Sequence, residues 1–313
     1  MDRFLVTGGA GFIGSNICRK LVSQDSFVRV VDNLLTGRKS NLAEIIDKIE
    51  FVEADMGDER VARDAMQDID VVFHEGALPS VPRSVDDPAA SHRHCVDATF
   101  TLLLAARDEG IKRFVYAASS AAYGDTPTLP KVETMRPSPM SPYAVGKLTG
   151  EYYCSVFSQV FGLETISLRY FNVFGPHQDP KSQYAAAIPA FVTSILKDEP
   201  PTIYGDGEQS RDFTYIDNVV EANLLAARAK KTSGQVVNIA CGQAVTVNEI
   251  ISLINKSLNK NVKPIYTDPR PGDVKHSLAD ITAAANLIGF KPVVSFEEGL
   301  QKAIGWYSKN SEK

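Results

Sequence analysis

The feature of this sequence that most constrains its fold is a run of glycines near the start of the chain. The run is Gly8-Gly9-Ala10-Gly11-Phe12-Ile13-Gly14, which follows a predicted strand, Arg3–Val6, and opens a predicted helix, Phe12–Val22. The spacing fits both G-x-x-G-x-x-G and G-x-G-x-x-G. Glycine lets the backbone approach a pyrophosphate, and the positive end of the helix then binds the phosphate. The run therefore predicts a dinucleotide site, with a tight turn that binds nothing as the alternative.

An acidic residue at the end of the second predicted strand supports the same interpretation. Asp32 follows the predicted strand Val28–Val31 and lies 18 residues after Gly14. A carboxylate at this place accepts hydrogen bonds from the adenine-ribose hydroxyls and repels a 2'-phosphate, which predicts NAD rather than NADP. Arg38 and Lys39 follow closely in the sequence and weaken that preference.

Further cofactor contacts are predicted from the glycine turn and from the ends of strands. Asp55 and Met56 end the third predicted strand and can reach the adenine, although a plain strand-end acid is the alternative for Asp55. Taken together, the contacts predicted from these positions are Gly8, Gly11, Phe12, Ile13, Gly14, Asp32, Asn33, Asp55 and Met56.

Strand and helix signals alternate along the first half of the chain. Further strands are predicted at Phe51–Glu53, Val71–His74, Phe114–Ala117 and Thr165–Leu168, and helices at Asp86–Arg107 and from Ser141-Pro142 onward. Such alternation, with near-continuous apolar strands, predicts a parallel sheet covered by helices on both faces. The predicted fold class is therefore α/β, a Rossmann-type doubly wound parallel sheet with a smaller α/β substrate-binding lobe.

The sequence changes in character after Asn172, where loops lengthen and proline becomes frequent. Val236–Ile239 has the pattern of a buried strand, and Thr246 with Glu249 forms a capping-box pattern at the start of a helix. We predict that residues 1–172 form the NAD-binding domain and that residues 173–313 mainly form the substrate-binding lobe. A stretch near 211–241 is predicted to return to the first domain, so that the two lobes are interleaved.

Charge and cysteine usage narrow the range of partners and compartments. The 313-residue chain has a formal net charge of -5, which argues against a nucleic-acid or anionic-membrane partner. Its four cysteines are scattered without a C-x-x-C spacing, a usage typical of reduced thiols in a cytoplasmic protein. No apolar run approaches the length of a membrane span, and no signal peptide is recognisable. We therefore expect a cytoplasmic protein without a membrane partner.

A serine, a tyrosine and a lysine form the predicted catalytic set. Tyr143 and Lys147 are four residues apart and share one face of the helix that begins at Pro142. The lysine ammonium favours the phenolate, which lowers the pKa of the tyrosine from ~10 and yields a general base. Ser119, at the fifth predicted strand, is predicted to hold a substrate hydroxyl toward that base. The set predicts proton removal from a sugar or alcohol hydroxyl while hydride passes to the dinucleotide.

Metal-dependent and nucleophilic chemistry have no matching pattern. The histidines at 74, 92, 94, 177 and 276 have no metal-ligand spacing, and His92 and His94 fall on different faces of a helix. The sequence contains neither a Cys-His nor a G-x-S-x-G nucleophile arrangement. We therefore predict no metal site.

Longer strings identify the family. They are Ser80–Ser84, Tyr116–Ser120, Arg169–Gly175, Gln178–Pro180, Tyr184–Ala186, Gly205–Glu208 and Gly272–Asp280. With these strings the chain resembles, over nearly its whole length, the extended short-chain dehydrogenase/reductase family. Within it the resemblance is to the nucleotide-sugar 4-epimerase branch, and most of all to bacterial UDP-N-acetylglucosamine 4-epimerases. The resemblance implies NAD held as a recycling prosthetic group, with Tyr143, Lys147 and Tyr170 beside the nicotinamide.

The resemblance also implies how a UDP-sugar substrate is bound. Asn172 is implied to bind the diphosphate or the sugar, and Asp273 to accept from the uridine ribose. Arg211 and Arg270 are implied to clamp the diphosphate with guanidinium groups, with a surface or interlobe salt bridge as the alternative for each. The remaining predicted substrate-binding residues are Arg83, Ser119, Ser120 and Ser277.

Ser277 bears on the size of the sugar. The family has a gate residue at this position, where a bulky tyrosine leaves no room for a 2-N-acetyl group. The small serine implies that an N-acetylhexosamine fits, unless Ser277 is merely a small packing residue.

The stretch after Ser119 separates the epimerases from other members of the family. Dehydratases and UDP-glucuronate decarboxylases carry acids directly after the catalytic hydroxyl residue, whereas Ser119 is followed by Ser120-Ala121-Ala122-Tyr123. Without an acid, elimination or decarboxylation lacks its proton shuttle. The predicted function is therefore an NAD-dependent UDP-hexose 4-epimerase acting through a 4-keto intermediate, with a role in polysaccharide biosynthesis. The predicted pair is UDP-GlcNAc and UDP-GalNAc, with UDP-Glc and UDP-Gal as a second pair.

Two alternatives to this function stay open. A UDP-hexuronic acid 4-epimerase needs a positive group near the sugar C6, and Arg83 or His177 can serve. A non-catalytic NAD-sensing regulator on the same fold is the other alternative, and the intact Ser119, Tyr143 and Lys147 argue against it.

The resemblance implies a homodimer formed through a four-helix bundle of the helices Asp86–Arg107 and Ser141–Phe161. The candidate interface residues are Leu103, Leu104, Tyr152 and Phe157, with a place in the core as the alternative. One residue departs from the family pattern: Glu75, in a stretch bordering the cofactor, stands where an uncharged residue is more common.

Overall fold

A seven-stranded parallel sheet forms the centre of the protein, in a computed structural model that describes residues 2–179, 187–269 and 275–310. The strands are β1 (Arg3–Thr7), β2 (Phe27–Asp32), β3 (Glu50–Glu53), β4 (Val71–His74), β5 (Arg113–Ser119), β6 (Thr165–Tyr170), β7 (Val173–Phe174), β8 (Thr202–Tyr204), β9 (Ser210–Asp212), β10 (Thr214–Tyr215), β11 (Gln235–Ile239), β12 (Ala244–Thr246) and β13 (Ile265–Thr267). The order in the central sheet is β3-β2-β1-β4-β5-β6-β11, and all neighbouring strands are parallel. The predicted Rossmann-type parallel sheet is therefore confirmed.

Helices cover both faces of this sheet. They are α1 (Phe12–Val22), α2 (Glu59–Met66), α3 (Val81–Asp86), α4 (Pro88–His92), α5 (Ala98–Asp108), α6 (Pro142–Phe161), α7 (Ala187–Leu196), α8 (Ile216–Arg228), α9 (Val247–Leu258), α10 (Thr282–Ile288) and α11 (Phe296–Asn310). Phe4 and Val6 of β1 pack in a core with α1 and α8, whereas Leu5 packs in a core with α2, α5 and α6. Successive residues of one strand therefore supply the two cores in turn.

The order of the strands fixes where a ligand can bind. The chain runs from β1 outward to β2 and β3, then returns to place β4 on the other side of β1. The connections after β1 and β4 therefore lead away in opposite directions and leave a crevice at the carboxyl ends of these strands. Both the glycine turn, after β1, and Glu75, directly after β4, border this crevice.

The helix predicted at Asp86–Arg107 begins later than expected and is not regular. Asp86 ends α3, and Asp87 caps the next helix by accepting the Ala90 N–H on its side chain at 2.9 Å. Pro88 restricts the residue before it, which breaks the helix at Asp87. A π-helical turn at Arg93–Asp97 joins α4 to α5 and was not predicted. Such turns are frequent at functional sites.

Two glycines let α6 lie close to the sheet. A Cβ atom on Gly150 would lie 2.3 Å from the hydroxyl oxygen of Tyr116 on β5. A Cβ atom on Gly146 would lie 2.9 Å from the Cβ of Cys95 in the π-helical turn. Ser141 caps the helix as predicted, with its hydroxyl accepting the Ala144 N–H at 3.2 Å. The close packing brings the side chains of α6 up to the carboxyl end of β5.

The second half of the chain adds small strand pairs and further helices. The pairs are β7 with β10, β8 with β13, and β9 with β12. The predicted capping box at the start of α9 is confirmed, because Thr246 and Glu249 exchange both hydrogen bonds. β11 then pairs with β6 at the edge of the central sheet. Residues from both halves of the chain, such as Val6 and Phe296, belong to one hydrophobic core.

The cysteines are unpaired, and the candidate interface residues differ in burial. All four cysteines are free thiols, and three of them are buried. Leu103 and Phe157 are buried in the core between α5, α6 and the sheet, so the structure supports the core alternative for these two residues. Leu104 is half-buried, and Tyr152 is exposed.

Among the described helices, none combines the length and apolarity needed to cross a membrane.

Candidate active site

A cavity of about 510 Å³ opens at the carboxyl ends of the central strands. Its wall contains all but one of the predicted cofactor-binding residues, namely Gly8, Gly11, Phe12, Ile13, Gly14, Asp32, Asn33, Met56, Tyr143, Lys147 and Tyr170. Asp55 is the exception, since its exposed carboxylate lies outside the wall and accepts the Gly57 N–H at 2.9 Å. That carboxylate also accepts the side-chain amide of Asn33, a wall residue, at 3.3 Å, so contact with the adenine stays a prediction for Asp55.

The glycine turn has the geometry that a dinucleotide needs. Gly8 has a φ of +66°, in the left-handed region that glycine adopts without strain. A Cβ atom on Gly14 would lie 2.4 Å from the Gly8 carbonyl oxygen, so glycine is required for the helix to approach the strand. Gly11 is the N-cap of α1 and makes no side-chain cap hydrogen bond. The positive end of α1 therefore faces the cavity and fits a pyrophosphate.

Asp32 is held in place by the glycine turn. Its carboxylate accepts the Ala10 N–H at 3.0 Å and the Leu34 N–H at 2.8 Å. Burial raises the pKa of this carboxyl, and the two backbone hydrogen bonds lower it. A Cβ atom on Gly37 would lie 2.8 Å from both carboxylate oxygens, so the facing loop also packs closely.

The two cations near Asp32 in sequence are engaged by other groups. The Arg38 guanidinium is paired with the carboxylate of Asp179. The Lys39 ammonium lies 5.1 Å from the centre of the Phe51 ring. The sequence-based doubt about NAD over NADP is therefore reduced, because neither cation is held beside the Asp32 carboxylate.

The structure brings the predicted catalytic set together. Ser119 ends β5, and its side chain hydrogen-bonds the hydroxyl of Tyr143 on α6. Lys147, one turn further along α6, is buried and donates to the Ala117 carbonyl oxygen at 2.7 Å. The close approach of α6 to β5 is what makes these contacts possible.

The electrostatics of Tyr143 differ from the sequence-based expectation. Burial raises the pKa of Tyr143, the hydrogen bond from Ser119 lowers it, and the negative charge of Glu75 raises it again. Burial also lowers the pKa of Lys147. The predicted lowering of the tyrosine pKa by lysine is therefore not found in the protein alone.

Those predicted substrate-binding residues that the structure describes lie outside the wall of this cavity. Arg83 is on α3, Ser120 opens a short 3₁₀ helix after β5, and Asn172 donates its side-chain amide to the Asp212 carbonyl oxygen at 3.1 Å. Arg211, on β9, and Ser277 lie side by side, because Ser277 N–H donates to the Ser210 carbonyl oxygen at 3.0 Å. Arg270 and Asp273 fall outside the described residues.

Nearly the whole chain is similar to known proteins. Residues 4–240 match the model of the NAD dependent epimerase/dehydratase family. The chain belongs to this family. A UDP-glucose 4-epimerase from Mycolicibacterium smegmatis is 35% identical over 314 residues, covering 99% of this chain and 100% of that protein.

Two solved structures of the epimerase/dehydratase type are also similar throughout. One is a UDP-N-acetylglucosamine 4-epimerase from Methanobrevibacter ruminantium in complex with UDP-N-acetylmuramic acid, with 41% identity, a TM-score of 0.95 and 99% coverage of both chains. The other is a UDP-glucose 4-epimerase from Thermotoga maritima with UDP-glucose, with 37% identity, a TM-score of 0.94 and coverage of 98% and 99%.

Trp306, in the wall of this epimerase/dehydratase cavity, was not identified from the sequence. Its ring is tilted against the ring of His177 with centres 5.0 Å apart, whereas His177 itself was considered from the sequence only as a group near the sugar C6. No local pattern could have identified this contact, because the two rings come from distant parts of the chain. Glu75 was singled out in the sequence, but without a physical role. In the described part of the chain, no cluster of His, Cys, Asp and Glu could hold a metal ion.

Proposed function

We propose that the protein is an NAD-dependent UDP-hexose 4-epimerase that interconverts UDP-GlcNAc and UDP-GalNAc, with UDP-Glc and UDP-Gal as a second pair. The observation that carries the proposal is that Ser119 hydrogen-bonds Tyr143, while Tyr143 and Lys147 line a cavity built on a dinucleotide-type glycine turn. The similarity to 4-epimerases over the whole chain supports the same reaction.

The catalytic residues have distinct tasks in this reaction. The Tyr143 phenolate oxygen accepts the proton from O4 of the sugar and later returns it, while Ser119 orients the sugar hydroxyl toward Tyr143. We propose that the positive charge of Lys147, one turn further along α6, favours the ionised form of Tyr143 in the complex with NAD and substrate. NAD, when bound, supplies the hydride-accepting chemistry. The resulting 4-keto sugar rotates in the cavity. Hydride then returns to the opposite face of C4, which gives the opposite configuration.

The proposed NAD site consists of the glycine turn, Asp32 and the neighbouring wall residues. Gly8, Gly11 and Gly14 admit the pyrophosphate at the start of α1, and the carboxylate of Asp32 accepts from the adenine ribose. We propose that residues 1–172, with the stretch near 211–241, form the NAD-binding domain and that residues 173–313 mainly bind the UDP-sugar. The pairing of β11 with β6 in the central sheet supports this division.

The choice of reaction rests partly on where carboxylates lie. Residues 120–123 form a 3₁₀ helix without an acidic side chain, so this stretch offers no shuttle for elimination or decarboxylation. Glu75 is nevertheless a carboxylate in the same cavity. Assays of the protein should therefore also include a search for 4-keto-6-deoxy products, which a dehydratase would release.

The preference for one sugar is tested by comparing the conversion of several UDP-sugars without added NAD. Purified protein is incubated separately with UDP-GlcNAc, UDP-Glc and UDP-GlcA, and the products are separated by chromatography. Fast conversion of UDP-GlcNAc to UDP-GalNAc is expected. Conversion of UDP-GlcA alone would favour the hexuronic acid 4-epimerase, and no conversion of any substrate would contradict the epimerase.

Replacing Ser277 with tyrosine should narrow the range of sugars. The bulky ring would fill the space of a 2-N-acetyl group, so turnover of UDP-GlcNAc should fall at least about tenfold relative to UDP-Glc. The ratio of kcat/KM for the two substrates measures the change, with Ser277→Ala as the control that keeps the site open. An unchanged ratio in Ser277→Tyr would mean that Ser277 is only a packing residue.

We also propose that the protein is a homodimer, on the basis of an exposed apolar stripe along α6. Val145, Tyr152, Val156 and Val160 are between 48% and 66% exposed and follow one another at helical spacing. A charge in this stripe should break the dimer, so Val156→Asp should elute at half the mass of the wild type in light-scattering chromatography. Val293→Asp, at an exposed valine outside α6, serves as the control.

A further inference from the structure

One carboxylate in the cavity wall has no task in the chemistry described above. Glu75 follows β4, and its backbone N–H donates to the Thr7 carbonyl oxygen at 3.2 Å. A Cβ atom on Gly8 would lie 3.0 Å from the carbonyl carbon of Glu75. The backbone of Glu75 therefore packs directly against the glycine turn, at the point where the strand order reverses.

The two oxygens of this carboxylate have different surroundings. Oε1 accepts a hydrogen bond from the Tyr170 hydroxyl at 2.9 Å, and that hydroxyl accepts from the Asn223 side-chain amide at 2.8 Å. Oε2 is shielded from solvent and has no hydrogen-bond partner within the described residues. A buried carboxylate oxygen without a partner is unfavourable, which indicates that a ligand completes its surroundings.

The charge of Glu75 is only weakly balanced by the protein. Burial raises the pKa of Glu75 to about 7, while the Tyr170 hydrogen bond and the positive charge of Lys147 lower it. The Lys147 ammonium is directed at the Ala117 carbonyl oxygen rather than at Glu75. A positive charge entering the cavity would therefore hold the carboxylate ionised and be stabilised by it.

Glu75 belongs to the reacting half of the cavity. Its charge acts on both Tyr143 and Lys147, the residues predicted to lie beside the nicotinamide. Asp32, by contrast, lies at the end of β2, where the adenine ribose is proposed to bind. The ring of NAD changes from a cation to a neutral group on reduction, so a nearby carboxylate distinguishes the two forms. In a cavity that excludes water, such an interaction is screened less than in solution.

We propose that the ionised Glu75 carboxylate sets the oxidation state of bound NAD by stabilising the oxidised, positively charged nicotinamide over the reduced, neutral ring. This inference rests on the proposed function, because it requires NAD in the cavity. An epimerase starts each turnover with oxidised NAD, so the preference keeps the enzyme ready for its next substrate.

The test compares the oxidation state of bound cofactor in the wild type and in Glu75→Gln. Holoenzyme is equilibrated with mixtures of free NAD⁺ and NADH of known ratio, and free nucleotide is removed by rapid filtration. Bound NADH is measured by its absorbance, and total nucleotide after extraction. Glu75→Gln should raise the bound NADH/NAD⁺ ratio at least about tenfold, which corresponds to a rise of about 30 mV in the potential of the bound couple.

Controls separate the charge of Glu75 from its shape. Glu75→Met removes the charge in a side chain of similar length and should shift the bound NADH/NAD⁺ ratio as Glu75→Gln does. If one of these two variants does not fold, the other still tests the effect of the charge. Glu75→Asp keeps the charge and should stay closer to the wild-type ratio than either neutral variant. Glu53→Gln removes an exposed carboxylate at the end of β3, outside the cavity wall, and should leave the ratio unchanged.

The outcomes distinguish this inference from the proposed function. Full nucleotide content with equal ratios in the wild type and the neutral variants would overturn the role of Glu75 and leave the NAD site intact. Absence of nucleotide from every protein, the wild type included, would overturn both.

Discussion

Tyr143→Phe should lower the turnover of UDP-GlcNAc by about 10²–10⁴-fold, the usual contribution of a general acid–base group. The phenylalanine ring retains the packing of Tyr143 but has no hydroxyl to exchange a proton with O4 of the sugar. The substitution also removes the hydrogen bond between Ser119 and the Tyr143 hydroxyl. Initial rates measure the loss, and extraction of bound NAD establishes that the cofactor site is intact.

A second tyrosine on the same helix provides the control. Tyr153 lies on α6 outside the cavity wall and packs against Phe100 with ring centres 5.0 Å apart. Tyr153→Phe should keep wild-type turnover within about twofold. Wild-type turnover in Tyr143→Phe would contradict the proposed role of Tyr143 as the base. An NAD-sensing regulator would then be the better hypothesis for a protein with this fold.

Arg169→Met should lower the free energy of unfolding by about 3–5 kcal/mol, the usual cost of removing one partner of a buried ion pair. Arg169 on β6 donates to both oxygens of Glu151 on α6, at 2.9 and 2.7 Å. The two side chains are only 4% and 2% exposed, so the remaining carboxylate would be left buried without its partner. Urea denaturation followed by circular dichroism measures the change.

An exposed ion pair and a double variant are the matched controls for Arg169→Met. Lys302 and Glu298 form a pair on α11 at 2.9 Å with side chains 44% and 55% exposed. Lys302→Met should cost less than about 1 kcal/mol, because water screens this pair. Adding Glu151→Leu to Arg169→Met should recover much of the loss, since no buried charge remains. Equal losses from Arg169→Met and Lys302→Met would show that burial of the first pair has no energetic consequence.

The elements predicted correctly from the sequence are those specified by neighbouring residues. The glycine turn and the start of α1 at Phe12 follow from a local spacing, and so does the capping box of α9. The serine cap of α6 is equally local. The break between α3 and α4 at Asp87 has a local signal, the dipeptide Asp87-Pro88. The prediction missed it because the apolar pattern continues on both sides of Asp87. The π-helical turn depends on packing against α6 and has no such local signal.

The parts of the site that were missed depend on contacts between distant residues. Glu75 meets Tyr170, which is 95 residues away in sequence, and only the fold brings the two together. The raised pKa of Tyr143 likewise arises from burial beneath several elements, whereas spacing along α6 indicated only the proximity of Lys147.

The position of β11 has a consequence for synthesis of the chain on the ribosome. β6 is complete long before β11, its hydrogen-bonded neighbour at the edge of the sheet, has been translated. At ~5–20 residues per second, the intervening stretch of about 70 residues takes roughly 4–14 s to emerge. During that interval β6, whose six residues are all buried in the finished protein, presents an unpaired edge to other nascent chains. A chaperone that covers this edge should therefore raise the yield of folded protein more than one that acts after release.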